Sequence, residues 1–235
     1  MAYGNENIII SADDFGISKL ADVNILKLVE AGKIDRVEVM MSPNLNLEEV
    51  SRLKNSQVKI DIHLHLIKDD SDYWRGDRRL KEGAFKRMVL FVFNYFSGKS
   101  SSEKVELKWA IQIEKFREVF GKNPEGIGSH EYIHFFPPYM KAVLKLAKKY
   151  EIPYVRMGKK DLKAENMVSM VLNWLRKKNV KKFQESGLLT SPYMASLDWA
   201  KNLGDIEKII PMDGKTELVC HPEREEEFGF MKENF

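Results

Sequence analysis

The chain has 235 residues, a formal net charge of +3 and a single cysteine, with 43% hydrophobic and 31% charged residues. That balance excludes a disordered chain, and the length allows one large core without disulfides. Lys and Arg total 38 against 35 Asp and Glu, well dispersed, so nucleic acid is not the expected partner. The longest apolar run, Met88 to Phe96, contains Asn94 and is too short to span a bilayer, so no membrane partner is expected. No secretory leader is expected at the N-terminus. Cys220 alone cannot form an internal disulfide, which fits a reducing, cytoplasmic setting.

Short apolar runs alternate with longer amphipathic ones. Asn7 to Ala12 reads as a buried strand, Ser18 to Ala31 as a helix stopped by Gly32, and Arg36 to Met41 as a second strand. Leu47 to Lys54 follows as a short helix, with Asn46 and Glu49 at capping-box spacing. Val58 to Leu66 is a third strand. Residues 68 to 80 read as a polar loop carrying Tyr73 and Trp74, and helices are expected over 82–97 and 103–120, the second capped by Ser100 and Glu103. Gly126 to His130 and Pro153 to Met157 read as strands around a helix from Pro138 to Tyr150. Helical patterns recur near 164–179 and 195–209, and Thr216 to Cys220 is a last strand. The basic cluster Arg176, Lys177, Lys178, Lys181 and Lys182 reads as the solvated end of a helix. Strand and helix alternate throughout, which predicts one α/β domain over 1–235 with a parallel sheet of about seven strands.

The polar residues of interest stand at the C-terminal ends of these strands, the edge where parallel α/β folds build sites. Asp13 and Asp14 follow an apolar strand. They read as a turn or helix cap, or as two carboxylates near the core whose charge a cation would offset. Asp61, His63 and His65 alternate with Ile60, Ile62, Leu64 and Leu66, so the three share one strand face. On a sheet covered on both sides, that face suggests the mouth of a barrel. His130 and His134 have helical spacing, yet a strand end and the Pro137-Pro138 pair surround them. His130 remains a ligand candidate, and His134 reads equally as a core histidine. Cys220 and His221 are adjacent on a strand and face opposite ways, which argues against a thiol–imidazole pair. There is no glycine-rich phosphate loop and no nucleophile elbow.

Taken together, four segments resemble the YdjC/ChbG-like carbohydrate deacetylases. They are Ser11-Ala12-Asp13-Asp14-Phe15-Gly16-Ile17-Ser18, Ile62-His63-Leu64, Gly121-Lys122-Asn123-Pro124 through Ser129-His130 to Ile133-His134-Phe135-Phe136-Pro137, and Leu218-Val219-Cys220-His221-Pro222. Their order covers residues 8 to 222. Asp61 stands where the family has Gly. His130-Glu131-Tyr132 replaces a run of three histidines, and Gly128 replaces an Asp two residues earlier. Only 13 residues follow Pro222, so a final helix is expected to be short or missing.

The resemblance implies a (β/α)-barrel-like, TIM-type fold and metal-assisted removal of an acetyl group from an N-acetylated sugar. It implies one divalent cation, magnesium or zinc, held by Asp14, His63 and His130. Asp13 would be the general base and His221 the general acid. An unactivated amide needs a strong nucleophile and a stabilised oxyanion, and a divalent cation supplies both. Ser42, Asn44, His65, His134 and Arg156 would line the sugar pocket. Two other readings stand beside this one. The first is a different barrel metallohydrolase, an amidase or phosphoesterase using both histidines of His63-x-His65. The second is a non-catalytic carbohydrate-binding protein. The oligomeric state is open, with a homodimer through the apolar face of 85–96 as one reading.

Overall fold

The computed structural model describes residues 7–67, 101–160, 167–200, 202–210 and 214–235. The expected loop at 68–80 with Tyr73 and Trp74, the helix at 82–97 and the Ser100 cap lie outside them.

Seven strands are described: β1 (Ile8–Phe15), β2 (Arg36–Val39), β3 (Lys59–Leu64), β4 (Gly126–Ser129), β5 (Tyr154–Val155), β6 (Tyr193–Ser196) and β7 (Thr216–Cys220). Every pairing is parallel, in the order β5-β4-β3-β2-β1-β7-β6. The two edges approach each other. Val155 donates to the Leu189 carbonyl at 2.9 Å, Leu189 to Pro153 at 2.8 Å, and Lys159 to Ser191 at 3.1 Å. The segment that bonds beside β5 therefore runs straight into β6, and the sheet curls into a barrel-like ring in sequential strand order. This is the expected α/β barrel-like architecture.

The helices follow their local signals. In α1 (Lys19–Glu30), Ser18 caps the start by accepting the Ala21 N–H. In α2 (Leu47–Lys54), Asn46 accepts from Glu48 and Glu49. The helix α3 (Ser102–Phe120) starts after Ser101 and ends at Gly121, which is left-handed at φ 72°. Pro137 and Pro138 open α4 (Pro137–Lys149), where their missing N–H groups cost nothing. Trp109 of α3 meets Tyr139 of α4 edge to face at 5.6 Å, both fully buried.

Two expectations are corrected. The helix expected near 195–209 is strand β6, followed by 3-10 turns at Leu197–Trp199 and Leu203–Lys208. Tyr193–Ser196 is too short for its period to separate helix from strand, and the ring decides it. Arg176 is not a solvated helix end. In α5 (Met167–Ser186) it is 1% exposed and donates to the Gly158 and Lys159 carbonyls. The final helix is present and short, as one arm of the expectation had it: α6 (Glu225–Asn234) has 10 residues, with Glu227 buried.

Candidate metal centre

The inside of the ring is charged. Ser11 and Asp13 on β1, Arg36 and Glu38 on β2, Asp61 and His63 on β3, and Glu217 on β7 are all buried. Each alternates with apolar residues, so one phase of each strand faces the ring interior. The sequence reading singled out this alternation only on β3. The same signal was present in Arg36-Val37-Glu38-Val39, and it points to Glu38.

Alternation should send Asp13 and Asp14 to opposite faces. The pairing of β1 with β2 shifts register between Ala12 and Phe15, and Asp14 takes a left-handed φ of 71°. This bulge brings both carboxylates to the site, and Asp tolerates the left-handed region better than most residues. Gly16 follows at φ 93°, where a Cβ would lie 2.6 Å from the Met40 carbonyl oxygen. Only glycine fits that turn. Ser42 donates to the Gly16 carbonyl, and Asn44 donates to Ile17 at 2.8 Å and to Ser42 Oγ at 3.0 Å. The half-buried Ser42 and Asn44 thus clamp the loop after β2 onto the loop after β1.

Asp14, His63 and His130 offer ligand atoms within 4.8 Å of one another. His63 Nε2 is 3.3 Å from Asp14 Oδ1, and His130 Nδ1 is 3.0 Å from the same oxygen. The two rings cross at 80° with centroids 5.7 Å apart. Asp14 and His63 are buried, whereas the His130 side chain is 16% exposed and marks the open side. Glu131 and Tyr132 follow His130 at φ 56° and 52°. That pair of left-handed residues turns the chain back into the core, where Tyr132 packs on Phe135 and Trp199.

Behind these ligand candidates stands Arg156, fully buried after β5. Its Nη1 donates to both oxygens of Asp13, at 2.8 and 2.7 Å. Nη2 reaches Ser11 Oγ and lies 3.0 Å from Glu38 Oε1, and Nε donates to Glu217 at 2.8 Å. One guanidinium therefore meets Asp13, Glu38 and Glu217. Burial pushes the Glu38 carboxyl up, with Arg156 opposing and Asp13 adding to the rise. Burial alone would lower the His63 imidazole, but Asp13 and Glu38 raise it to about 10. The centre holds an excess of negative charge around the His63 ring.

That chemistry fits one divalent cation. One carboxylate and two imidazoles converge in an acid-rich pocket, a donor set that suits zinc and tolerates magnesium less well. A second group, Asp13, Glu38 and His63, also converges. Arg156 already supplies the positive charge there.

Asp13 and His221 come directly after the paired residues Ala12 and Cys220 of the neighbouring strands β1 and β7. His221 donates its backbone N–H to Glu227 at 2.7 Å, and its Nδ1 is 3.3 Å from the same oxygen. Burial opposes the charged ring, yet Glu227 and then Asp198 hold it above its ordinary value. The sequence reading missed both acids, which follow the last two strands and carry no local motif.

The remaining pocket candidates behave differently from expectation. His134 is fully buried, with Nδ1 on Ser129 Oγ and Nε2 2.7 Å from the Arg156 carbonyl. Burial lowers it to about 3, so it is a neutral core histidine. His65 is 2% exposed, its Nε2 3.5 Å from the Met41 carbonyl and its backbone held by Gln112. His134, His65 and Arg156 thus present almost no surface to a sugar. They brace the walls, because ring closure buries the strand ends on which they sit.

A charged barrel mouth with an Asp-His-His group that could hold a metal ion stands on this α/β barrel-like fold. The YdjC-like protein family matches residues 7–233, and the chain belongs to that family. A carbohydrate deacetylase of Halalkalibacterium halodurans is 27% identical over 92% of this chain and 84% of its own length. One from Oceanobacillus iheyensis is 32% identical over 61% of this chain and 62% of its own. A chitooligosaccharide deacetylase of Escherichia fergusonii is 23% identical over 60% of this chain and 55% of its own. A crystal structure of an Enterococcus faecalis V583 protein with a suggested role in cellobiose-phosphate cleavage shares the fold. It has a TM-score of 0.60 and 20% identity over 93% of this chain and 81% of that one. No helix among the described residues is long and apolar enough to cross a membrane.

Proposed function

We propose that the protein removes the acetyl group from an N-acetylated sugar, releasing acetate and a free amine. The observation that carries this reading is the convergence of Asp14, His63 and His130 within 4.8 Å, beside Asp13, in a chain of the YdjC-like family. A divalent cation held by those three residues, zinc or magnesium, would polarise the acetyl carbonyl and acidify a water.

The chain's own residues supply the proton transfers. Asp13, fixed by Arg156, takes the proton from the attacking water as the carbon–oxygen bond forms. His221, held at Nδ1 by Glu227, gives a proton from Nε2 to the leaving nitrogen as the carbon–nitrogen bond breaks. The raised affinity of His221 for its proton suits that role. Ser42 and Asn44 shape the open edge by fixing the two loops. His65 lies outside the converging group, which speaks against a metallohydrolase using both histidines of His63-x-His65.

The test is metal content after incubation with zinc or magnesium and gel filtration, paired with acetate release from N-acetylglucosamine and its oligomers. Wild type is expected to retain about one zinc ion per chain, as catalytic sites with three protein ligands and one open position do. His130→Ala should lose both the ion and acetate release. Metal-loaded wild type that binds these sugars and releases no acetate would instead make the protein a carbohydrate-binding one.

A further inference from the structure

We propose that Glu38 is a positioning residue of this site, and that position 128 lacks a side chain so that the Glu38 carboxylate can stand there. This rests on the deacetylase reading above and adds to it a residue outside the ligand set.

Glu38 rises from β2 into the ring and is 1% exposed. Its Oε2 contacts His63 Nδ1, and its Oε1 lies 3.0 Å from Arg156 Nη2. Both oxygens are committed, so Glu38 acts through other residues. On one side it fixes the His63 ring. With Nδ1 turned to Glu38, Nε2 is turned to Asp14 Oδ1 at 3.3 Å. A carboxylate on the far nitrogen of a ligating histidine sets its tautomer, orientation and basicity. On the other side it holds Arg156, which in turn grips Asp13. One carboxylate thus ties the proposed ligand to the proposed base.

Position 128 makes the arrangement legible. In the β3–β4 register Gly128 lies opposite His63. A Cβ built on Gly128 would overlap Glu38 Oε1, Oε2 and Cδ, far inside any contact real Cβ atoms make. The overlap is with the carboxylate itself, so a side chain at 128 fits only if Glu38 gives up its contacts to His63 and Arg156. The same geometry means that a short acidic side chain at 128 would deliver its carboxylate to the place Glu38 now fills. If Glu38 served only to neutralise Arg156, the His63 ring would not depend on it.

The test compares Glu38→Gln, Glu38→Ala, Gly128→Asp and the pair Glu38→Ala/Gly128→Asp with wild type. Three quantities are read: zinc affinity by competition with a chromophoric chelator, kcat and KM for acetate release, and the downfield imidazole N–H resonance of His63 in metal-free protein. A glutamine cannot accept from both His63 and Arg156. Glu38→Gln should weaken zinc binding by about 10–100-fold. It should lower kcat more than it moves KM, and shift or erase the resonance. Gly128→Asp alone should unfold at lower temperature, since two carboxylates compete for one place. The pair should recover most of the zinc affinity and the resonance lost in Glu38→Ala. Unchanged zinc affinity and an unchanged resonance in Glu38→Gln would overturn the proposal, whatever its unfolding temperature. So would a pair no better than Glu38→Ala. If wild type took up no zinc and released no acetate, the deacetylase reading would fail. The resonance would still decide whether Glu38 holds His63. Should the position-128 variants fail to fold, Glu38→Gln alone decides.

Discussion

Two storeys of the barrel interior carry buried charge, and they differ in how it is balanced. Near the N-terminal ends of the strands, Arg36 grips Asp61 through two bonds at 2.6 and 2.7 Å and lies over the Tyr154 ring. Near the C-terminal ends, Arg156 faces Asp13, Glu38 and Glu217 together. The lower storey is a two-bond ion pair whose charges match one to one, with Glu217 of the upper network also acting on both partners. The upper one is short of positive charge, and it is the one that opens to solvent at His130. Buried charge alone does not mark a site, whereas buried charge left unbalanced beside an opening does.

The largest effect should come from the upper storey. Asp13→Asn should lower kcat for acetate release by about 10²–10⁴ with the fold intact, as the loss of a general base does. Near-normal turnover in that variant would break the comparison by taking Asp13 out of the chemistry. In the lower storey the damage should fall on stability. Asp61→Leu strands the Arg36 charge and should cost about 3–5 kcal/mol in urea unfolding. Arg36→Met/Asp61→Leu should recover most of that loss, since replacing a whole buried pair is often close to neutral. Zinc affinity in this double variant should match wild type. A double variant as unstable as the single one would mean that the lower pair is also bound into the network above.

A smaller effect belongs to Asp22, outside both storeys. Its Oδ1 accepts the Gly16 N–H at 2.5 Å and so braces the turn after Asp14. Burial, opposed by that bond and joined by Glu49 and Glu223, pushes its carboxyl up to about 8. The folded protein then holds a proton that the unfolded chain releases near pH 4, so this group's contribution falls as pH rises from about 4 to about 8. Asp22→Asn keeps the acceptor and removes the ionisation. It should exceed wild type in stability above pH 8 by about 1–3 kcal/mol and converge with it below pH 4. Unfolding in urea at pH 4 and pH 9 reads this directly. An equal loss at both values would show instead that the turn depends on a charged carboxylate.

The sequence by itself determined the alternation of strand and helix, the cap at Asn46, and the placing of Asp13, Asp14, His63, His130 and His221 at strand ends. These follow from periods of two and 3.6 residues and from the chemistry of neighbours in the chain, although the sequence placed Ser18 inside its helix and only the structure shows it as the cap. It did not reveal strand β6, whose four residues carry too little period to identify themselves. Nor did it show that Glu38 serves His63, that Arg156 holds Asp13 rather than a sugar, or that His134 belongs to the core. Alternation says which face of a strand a side chain takes but not which residue it meets there. Those partners lie 25 residues apart for Glu38 and His63 and 143 for Asp13 and Arg156. Pairing of the neighbouring strands β2 and β3 brings the first two together, whereas only the curling of the sheet into a ring carries Arg156 to Asp13, and the bulge at Asp14 then turns two adjacent carboxylates into the same pocket.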